Sequence, residues 1–341
     1  MHVDDLFISS CDKDNLTYLH EGLCKAYGPM DIHHGPKISY VGMTMDFATS
    51  GKVSITQEKF IDDVLTDHPV QGTATSPADD HLFSIDESSA LLNKDEKEEF
   101  HSVSAKLLYL AKRSRPEFLT LTSYLTSRVQ CPTHSDNAKL KRGLRYLQGT
   151  KDMALSLSAQ LPIQITAFVD ASFAIHPEMR SHTGAMITIG AGAIYAKSGK
   201  QILTTRSSTE AELVGLSDSS VQVIWLRNFL IEQGYDIGPA ILCQDNEATI
   251  KLAQKGRSTS ARTRHISIRY FFIKDRIQTN EIKLKQLPTK EMIADILTKP
   301  LQGKQFRDLR NLMLNVDPIV SQNFLSWCLT AATVLDLTED Q

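Results

Sequence analysis

The chain has 341 residues, of which 41% are hydrophobic and 23% are charged, and its formal net charge at pH 7 is -3. This composition is typical of a soluble globular protein, and the length predicts two or three domains. Because the net charge is small, any nucleic-acid interface has to be a local basic patch. The five scattered cysteines contain no CxxC pair, which argues against a zinc site and against a disulfide framework. No apolar run is long enough to span a membrane.

The first 99 residues predict short strands and helices followed by a linker. The adjacent acids Asp4 and Asp5 lie between apolar residues, a pattern that suits a hairpin tip and, taken alone, a solvated turn. A helix is predicted over 12–26, a strand over 38–47 and a second helix over 57–66. Residues 70–99 are rich in Gly, Pro, hydroxyl and acidic side chains, which predicts an extended linker.

Two basic segments are candidates for contact with nucleic acid. Helical periodicity resumes over 100–113, 118–129 and 135–149, and the last of these helices is basic on one face. A second basic run covers 255–269. A basic stripe is consistent with phosphate contact and equally with a solvated face, and for His265 helix packing is a further alternative. The predicted nucleic-acid-binding residues are Lys139, Arg142, Arg145, Lys255, Arg262, Arg264 and His265.

Beyond residue 160 the pattern predicts β-β-β-α-β-α-α-β-α, a mixed sheet with flanking helices. Four acids lie at positions that favour a functional role. They are Asp170 in an apolar strand, Asp245 at the end of another strand, Glu212 in the first turns of a helix, and Asp295 on an apolar helix face. If the first and fourth strands are neighbours, Asp170 and Asp245 lie side by side. Converging carboxylates repel unless cations lie between them. Mg²⁺ prefers oxygen ligands, and a pair of such ions supports phosphodiester hydrolysis.

Four motifs carry a resemblance to a known family. They are Phe168–Ser172, Ser207–Glu212, Gln244–Ala248 and Ala294–Pro300, and they resemble the ribonuclease H domain of copia-type long-terminal-repeat retrotransposon polyproteins. The resemblance implies hydrolysis of the RNA strand of RNA–DNA hybrids by two Mg²⁺ ions, for which Mn²⁺ can substitute. The implied catalytic and metal-binding residues are Asp170, Glu212, Asp245 and Asp295. Glu212 is preferred because it directly precedes an apolar residue, and Glu210 stays open as the alternative.

The resemblance extends upstream to the reverse transcriptase of the same polyproteins. His2–Leu6 resembles the Tyr-Val-Asp-Asp hairpin of the polymerase palm, with His2 in place of tyrosine. Asp4 and Asp5 are therefore the expected polymerase dyad. No third carboxylate or fingers precede them, so the chain alone is not expected to polymerise. The implied fold is α/β (α+β): a partial palm (1–69), a linker (70–99), a helical thumb or connection (100–160), a ribonuclease H-like five-stranded mixed sheet (161–314) and a tail (315–341).

The implied partners are an RNA–DNA hybrid and the rest of the polyprotein, without a membrane. The implied location is the cytoplasm, in virus-like particles, with the nucleus as a further location. Two other functions stay open at this stage. One is a non-catalytic remnant that only binds nucleic acid, and the other is an integrase or transposase, which uses three carboxylates where this sequence offers a fourth at Asp295.

Overall fold

The computed structural model describes residues 6–10, 12–159, 161–256 and 267–330. Within these ranges the chain is mixed α/β, with ten α-helices and two five-stranded sheets, which confirms the predicted fold class. Asp4, Asp5, Arg262, Arg264 and His265 lie outside the described residues. Among the helices that are described, none is both long and apolar enough to cross a bilayer.

The helices are α1 (Lys13–Tyr27), α2 (Glu58–Asp67), α3 (Lys94–Arg113), α4 (Leu119–Arg128), α5 (His134–Gln148), α6 (Ser208–Glu232), α7 (Glu247–Lys255), α8 (Ser267–Gln278), α9 (Gly303–Leu314) and α10 (Pro318–Thr330). The strands are β1 (Lys37–Tyr40), β2 (Met43–Asp46), β3 (Lys52–Thr56), β4 (Leu155–Ala159), β5 (Thr166–Ser172), β6 (His182–Thr188), β7 (Gly190–Ala191), β8 (Tyr195–Lys200), β9 (Ala240–Gln244) and β10 (Ile282–Gln286).

The first sheet has the order β1-β2-β3-β4-β7 and begins with a tight hairpin. One strand was expected over 38–47, but β1 and β2 are antiparallel and turn at Val41 and Gly42, whose φ angles are 49° and 68°. Two consecutive left-handed residues form the turn that matches the twist of a two-residue hairpin. Strands β4 and β7 complete this sheet. The sheet therefore contains strands from the 1–69, 100–160 and 161–314 segments.

Residues 70–93 contain no helix or strand, yet they pack against the rest of the protein and do not form an extended linker. Leu82 and Ser76 are fully buried. The Nζ atom of Lys139 donates hydrogen bonds to the carbonyl oxygens of Leu82 and Ser84 at 2.9 and 2.6 Å. Helix α3 then begins at Lys94, six residues before the predicted start, because Asn93 forms a capping box with Glu96.

The second sheet has the order β10-β9-β5-β6-β8 and carries the candidate site. Strands β5, β6 and β8 form an antiparallel meander, and β9 and β10 run parallel to β5. Every residue of β5 and β6 is buried, which is expected where a sheet is covered on both faces. Helix α6 packs on β5 and β6, and its Gly215 lies against Thr183 and Val169. The predicted five-stranded mixed sheet with flanking helices is therefore confirmed.

A buried ion pair lies directly after α3, and its arginine is hydrogen-bonded to Thr150, just beyond the end of α5. Arg115 and Glu117 have fully buried side chains, and the Nε atom of Arg115 donates to Glu117 Oε1 at 2.7 Å. The guanidinium also donates to the carbonyl oxygen and the hydroxyl of Thr150 at 2.9 and 2.7 Å. Removing one partner of such a pair leaves the other charge buried and uncompensated.

We therefore expect Arg115→Met to lower the free energy of unfolding by about 3 kcal/mol or more. The control is Lys151→Met, which breaks the exposed Lys151–Asp62 pair at 3.2 Å and should cost less than about 1 kcal/mol. Chemical denaturation of both variants measures the difference. Equal losses in the two variants would contradict the structural role of Arg115.

Candidate metal centre

Asp170 and Asp245 are neighbours because β5 and β9 are parallel. Phe168 pairs with Cys243 in this ladder, and each aspartate follows its paired residue by two positions. The sequence analysis placed the two aspartates side by side on the condition that these strands are neighbours, and the structure meets that condition. Asp170 is only 2% exposed, whereas Asp245 is half-buried at the end of its strand.

Glu212 joins the two aspartates from the first turns of α6. One carboxylate oxygen from each of Asp170, Glu212 and Asp245 lies within 4.8 Å of the others. Glu210, the alternative ligand, makes different contacts. Its Oε2 accepts a hydrogen bond from the backbone N–H of Arg206 at 2.8 Å, while the hydroxyl of Ser207 caps the helix. Glu210 therefore fixes the start of α6, and Glu212 faces the aspartates.

Asp295 lies on a short 3₁₀ turn, Ile293–Leu297, where a longer helix was expected. This turn packs on the sheet at Gly184, the residue of β6 that is paired with Asp170. A Cβ atom on Gly184 would lie 2.7 Å from Leu297 Cβ and 2.9 Å from the carbonyl oxygen of Ala294. The missing side chain thus allows the turn to approach, and the approach places Asp295, which is 2% exposed, beside the other acids.

Two residues after this turn connect Asp295 to Asp170. The Nζ atom of Lys299 lies 2.7 Å from Asp295 Oδ1 and 3.5 Å from Asp170 Oδ2. The hydroxyl of Thr298 donates a short hydrogen bond to the same Asp170 Oδ2 atom. The Lys299 ammonium therefore lies between the carboxylates of Asp295 and Asp170. Asp295 is not one of the three acids whose carboxylates converge on one point.

Gln244 holds the glutamate and the end of β9 together. This residue is fully buried; its Nε2 donates to Glu212 Oε2 at 3.2 Å, and its Oε1 accepts from the backbone N–H groups of Asp245 and Asn246 at 2.8 and 3.1 Å. No role was predicted from the sequence for Gln244, Thr298 or Lys299. An amide directly before Asp245 and a lysine four residues after Asp295 are the sequence signals that point to Gln244 and Lys299.

Burial and neighbouring negative charges raise the pKa values of two acids of the centre, Glu212 and Asp295. Burial, together with the charges of Asp170 and Asp245, raises the pKa of Glu212 to about 9. Burial and the charge of Asp170 raise the pKa of Asp295 to about 6, although Lys299 acts in the opposite direction. Burial opposes the charge on Lys299, but the carboxylates of Asp170 and Asp295 outweigh it and raise the pKa of the ammonium. Without a further cation the centre holds an excess of negative charge.

The centre opens into a surface groove. A cavity of about 540 Å³ is lined by Asp170, Glu212 and Asp245, and by Lys299 at its edge. A second cavity of about 570 Å³ adjoins it, since Lys299 also lines that one. The second cavity runs between the 80–87 segment and the β5–β6 loop, where His176 lies. An extended ligand therefore has access to the carboxylates from the surface.

Comparison with known proteins gives relatives along almost the whole chain. The chain is 28% identical to the retrovirus-related Pol polyprotein from transposon TNT 1-94 of Nicotiana tabacum, over 92% of this chain and 24% of the relative. It is 27% identical to the Pol polyprotein from transposon RE2 of Arabidopsis thaliana, over 90% of this chain and 21% of the relative. The chain is a homologue of copia-type transposon Pol polyproteins. The family resemblance seen in the sequence motifs is confirmed.

A yeast relative supports the same assignment: the chain is 25% identical to the truncated transposon Ty1-A Gag-Pol polyprotein of Saccharomyces cerevisiae, over 91% of this chain and 27% of the relative. The chain thus spans about a quarter of the length of the Pol polyproteins it matches. No family model matches it. A solved structure of LC11-RNase H1 from compost aligns with 39% of this chain and 91% of its own, at 15% identity and a TM-score of 0.31, which is too low to support an argument.

In this Pol homologue the predicted basic residues differ in what they contact. Lys139 donates to two carbonyls and to the hydroxyl of Tyr124, and Arg142 donates to Ser76 and Gln302 at 3.0 and 3.3 Å. These side chains hold the 76–84 segment in place. Arg145 is half-buried on the same helix, and Lys255 is exposed at the end of α7. Their contact with nucleic acid stays a prediction.

The raised pKa of Glu212 predicts a pH-dependent stability in the absence of divalent ions. A carboxyl whose pKa rises on folding contributes stability that is fully present below its ordinary value, here 4.5, and is lost as the pH rises towards about 9. Glu212→Gln is neutral throughout, so its Tm should rise relative to the unmodified protein across this window. Thermal melts in EDTA measure the difference, and parallel profiles would show that folding does not raise the pKa of Glu212. Added Mn²⁺ should remove the trend from the unmodified protein.

A second prediction concerns the approach of the Asp295 turn to the sheet. Gly184→Ala should destabilise the protein by about 1–3 kcal/mol, because the new Cβ overlaps with backbone and Cβ atoms that cannot move aside easily. Gly199→Ala on the adjacent strand β8 is the matched control, since its Cβ would have no neighbour within 4 Å. Equilibrium denaturation of both variants tests this; an unaffected Gly184→Ala protein would mean that the turn does not lie against β6.

Proposed function

We propose that this chain is a metal-dependent ribonuclease H-type endonuclease that hydrolyses the RNA strand of RNA–DNA hybrids. The observation that carries the proposal is the convergence of Asp170, Glu212 and Asp245 from three separate elements in an accessible groove. The homology to Pol polyproteins supports a nuclease or hydrolase activity. We further propose that the chain acts together with the rest of such a polyprotein, in cytoplasmic virus-like particles and in the nucleus.

The donor set fits a hard divalent cation. All three converging ligands are carboxylates, and Mg²⁺ and Mn²⁺ both bind such oxygens. A neutral or monovalent occupant would leave the negative charge of the cluster largely uncompensated. When bound, a divalent ion supplies an activated water and a positive charge for the scissile phosphate.

The chain's own residues position the ligands. Gln244 holds the Glu212 carboxylate from one side, and Thr298 holds Asp170 from the other. Ordered partners of this kind fix the orientation of metal-binding carboxylates. The adjoining cavities give a polynucleotide backbone room to reach the cluster, and ribose 2′-hydroxyls on one strand let a protein distinguish RNA from DNA.

The test uses labelled RNA–DNA hybrid, duplex DNA and single-stranded RNA, each with Mg²⁺ or EDTA. We expect Mg²⁺-dependent loss of RNA from the hybrid alone. Asp170→Asn and Asp245→Asn should lower the rate about 100-fold or more. Glu212→Gln should behave like them, whereas Glu210→Gln should keep most of the activity, because Glu210 binds the backbone N–H of Arg206 and is not among the converging carboxylates.

Two results would contradict the proposal. Retardation of the hybrid without cleavage, in a folded protein, would identify a nucleic-acid-binding remnant. Cleavage of duplex DNA would favour an integrase or transposase. Equal loss of activity in Glu210→Gln and Glu212→Gln would leave the cleavage assignment intact but overturn the choice of Glu212.

A further inference from the structure

Lys299 lies where two carboxylates of the centre meet. Its Nζ atom is 2.7 Å from Asp295 Oδ1 and 3.5 Å from Asp170 Oδ2, and its side chain is 38% exposed. Asp295 and Lys299 are four residues apart across the end of the 3₁₀ turn. The turn is held against the protein by Thr120, whose hydroxyl donates to the carbonyl oxygen of Ile296 at 2.7 Å. The ammonium is therefore positioned by the fold.

The four acids divide into two groups around this ammonium. Asp170, Glu212 and Asp245 converge on one point. Asp295 is directed to Lys299, and the Oδ2 atom of Asp170 is already shared by Thr298 and Lys299. A cation bound between Asp170 and Asp295 would lie beside the positive charge of Lys299, and like charges at that separation repel strongly in a partly buried site.

We propose that Lys299 supplies the positive charge at the position between Asp170 and Asp295, so that the centre binds one divalent ion through Asp170, Glu212 and Asp245. This inference rests on the proposed function and deepens it, because the sequence resemblance implies two ions held by all four acids. Asp295 is then a positioning residue for Lys299. Lys299 balances the charge of Asp170 on the side away from the ion.

The number of bound ions tests this inference directly. Loss of the electron paramagnetic resonance signal of free Mn²⁺ counts the ions bound per chain, without any turnover. The unmodified full chain should bind one ion, and Lys299→Met should bind two, because Asp170 and Asp295 then face each other without an intervening cation. Lys299→Arg, which keeps the charge, should still bind one. The matched control is Lys304→Met, which removes an exposed lysine that pairs with Asp308 and should also bind one.

The Asp295→Asn variant tests whether Asp295 is a metal ligand or a positioning residue. This test does not depend on whether the Lys299→Met variant folds. If Asp295 only positions Lys299, this variant still binds one ion, with its affinity changed less than about threefold. Within Lys299→Met, the same Asp295→Asn change should remove the second ion. In steady-state cleavage, the Mg²⁺ dependence of the unmodified protein should follow a single-site curve, and Lys299→Met should give a cooperative one.

Each contrary result has its own meaning. Two ions in the unmodified chain, one of them lost in Asp295→Asn, would overturn the role of Lys299 and leave the nuclease proposal standing. Binding of a single ion by folded Lys299→Met would also overturn the role of Lys299, because it would show that the lysine does not exclude an ion from the position between Asp170 and Asp295. Failure of the unmodified chain to bind any Mn²⁺ would instead reject the metal-dependent nuclease itself.

Discussion

Repulsion among buried carboxylates is the constraint around which this protein is organised. Three acids share a space less than 5 Å across, and a fourth lies on the far side of a single ammonium. A buried charge is costly unless it is paired or bound to a cation. One lysine cannot neutralise four carboxylates, and burial together with the charge of Asp170 raises the pKa values of Glu212 and Asp295. The arrangement is stable when protons or a divalent ion supply the missing positive charge.

The rest of the fold brings these groups together and holds them there. The parallel pairing of β5 with β9 places two aspartates side by side, and α6 carries the glutamate over the sheet. Gly184 lets the Asp295 turn approach, while Thr120 of helix α4 fixes that turn from behind. The helical region before the second sheet is thus part of the support of the centre. Residues 70–93 take part as well, because Ser76 donates to Gln302 at 2.7 Å, just beyond Lys299.

Sequence reasoning anticipated what depends on local pattern and strand order. An acid at the end of an apolar strand is recognisable, so Asp170 and Asp245 could be brought together once their strands were assumed to be neighbours. The Asp295 segment was expected to be a helix because its apolar residues are closely spaced, yet it forms a 3₁₀ turn shaped by contacts with β6. Those contacts depend on Gly184, more than a hundred residues earlier in the chain. The packing of residues 70–93 was likewise not predictable, since the lysine that binds their carbonyls lies on α5.

The basic residues of α5 show why a charge pattern alone does not identify a nucleic-acid interface. Lys139 and Arg142 form the expected stripe, but backbone carbonyls and a serine of the same chain already accept their hydrogen bonds. The Nζ atom of Lys139 also donates to the hydroxyl of Tyr124, so its three N–H groups already have partners within the chain. The groove beside the candidate centre is lined by three carboxylates. Under the proposed function, a polyanionic substrate would approach these carboxylates closely only when cations compensate their charge, so binding of a divalent ion and binding of the nucleic-acid backbone should reinforce each other.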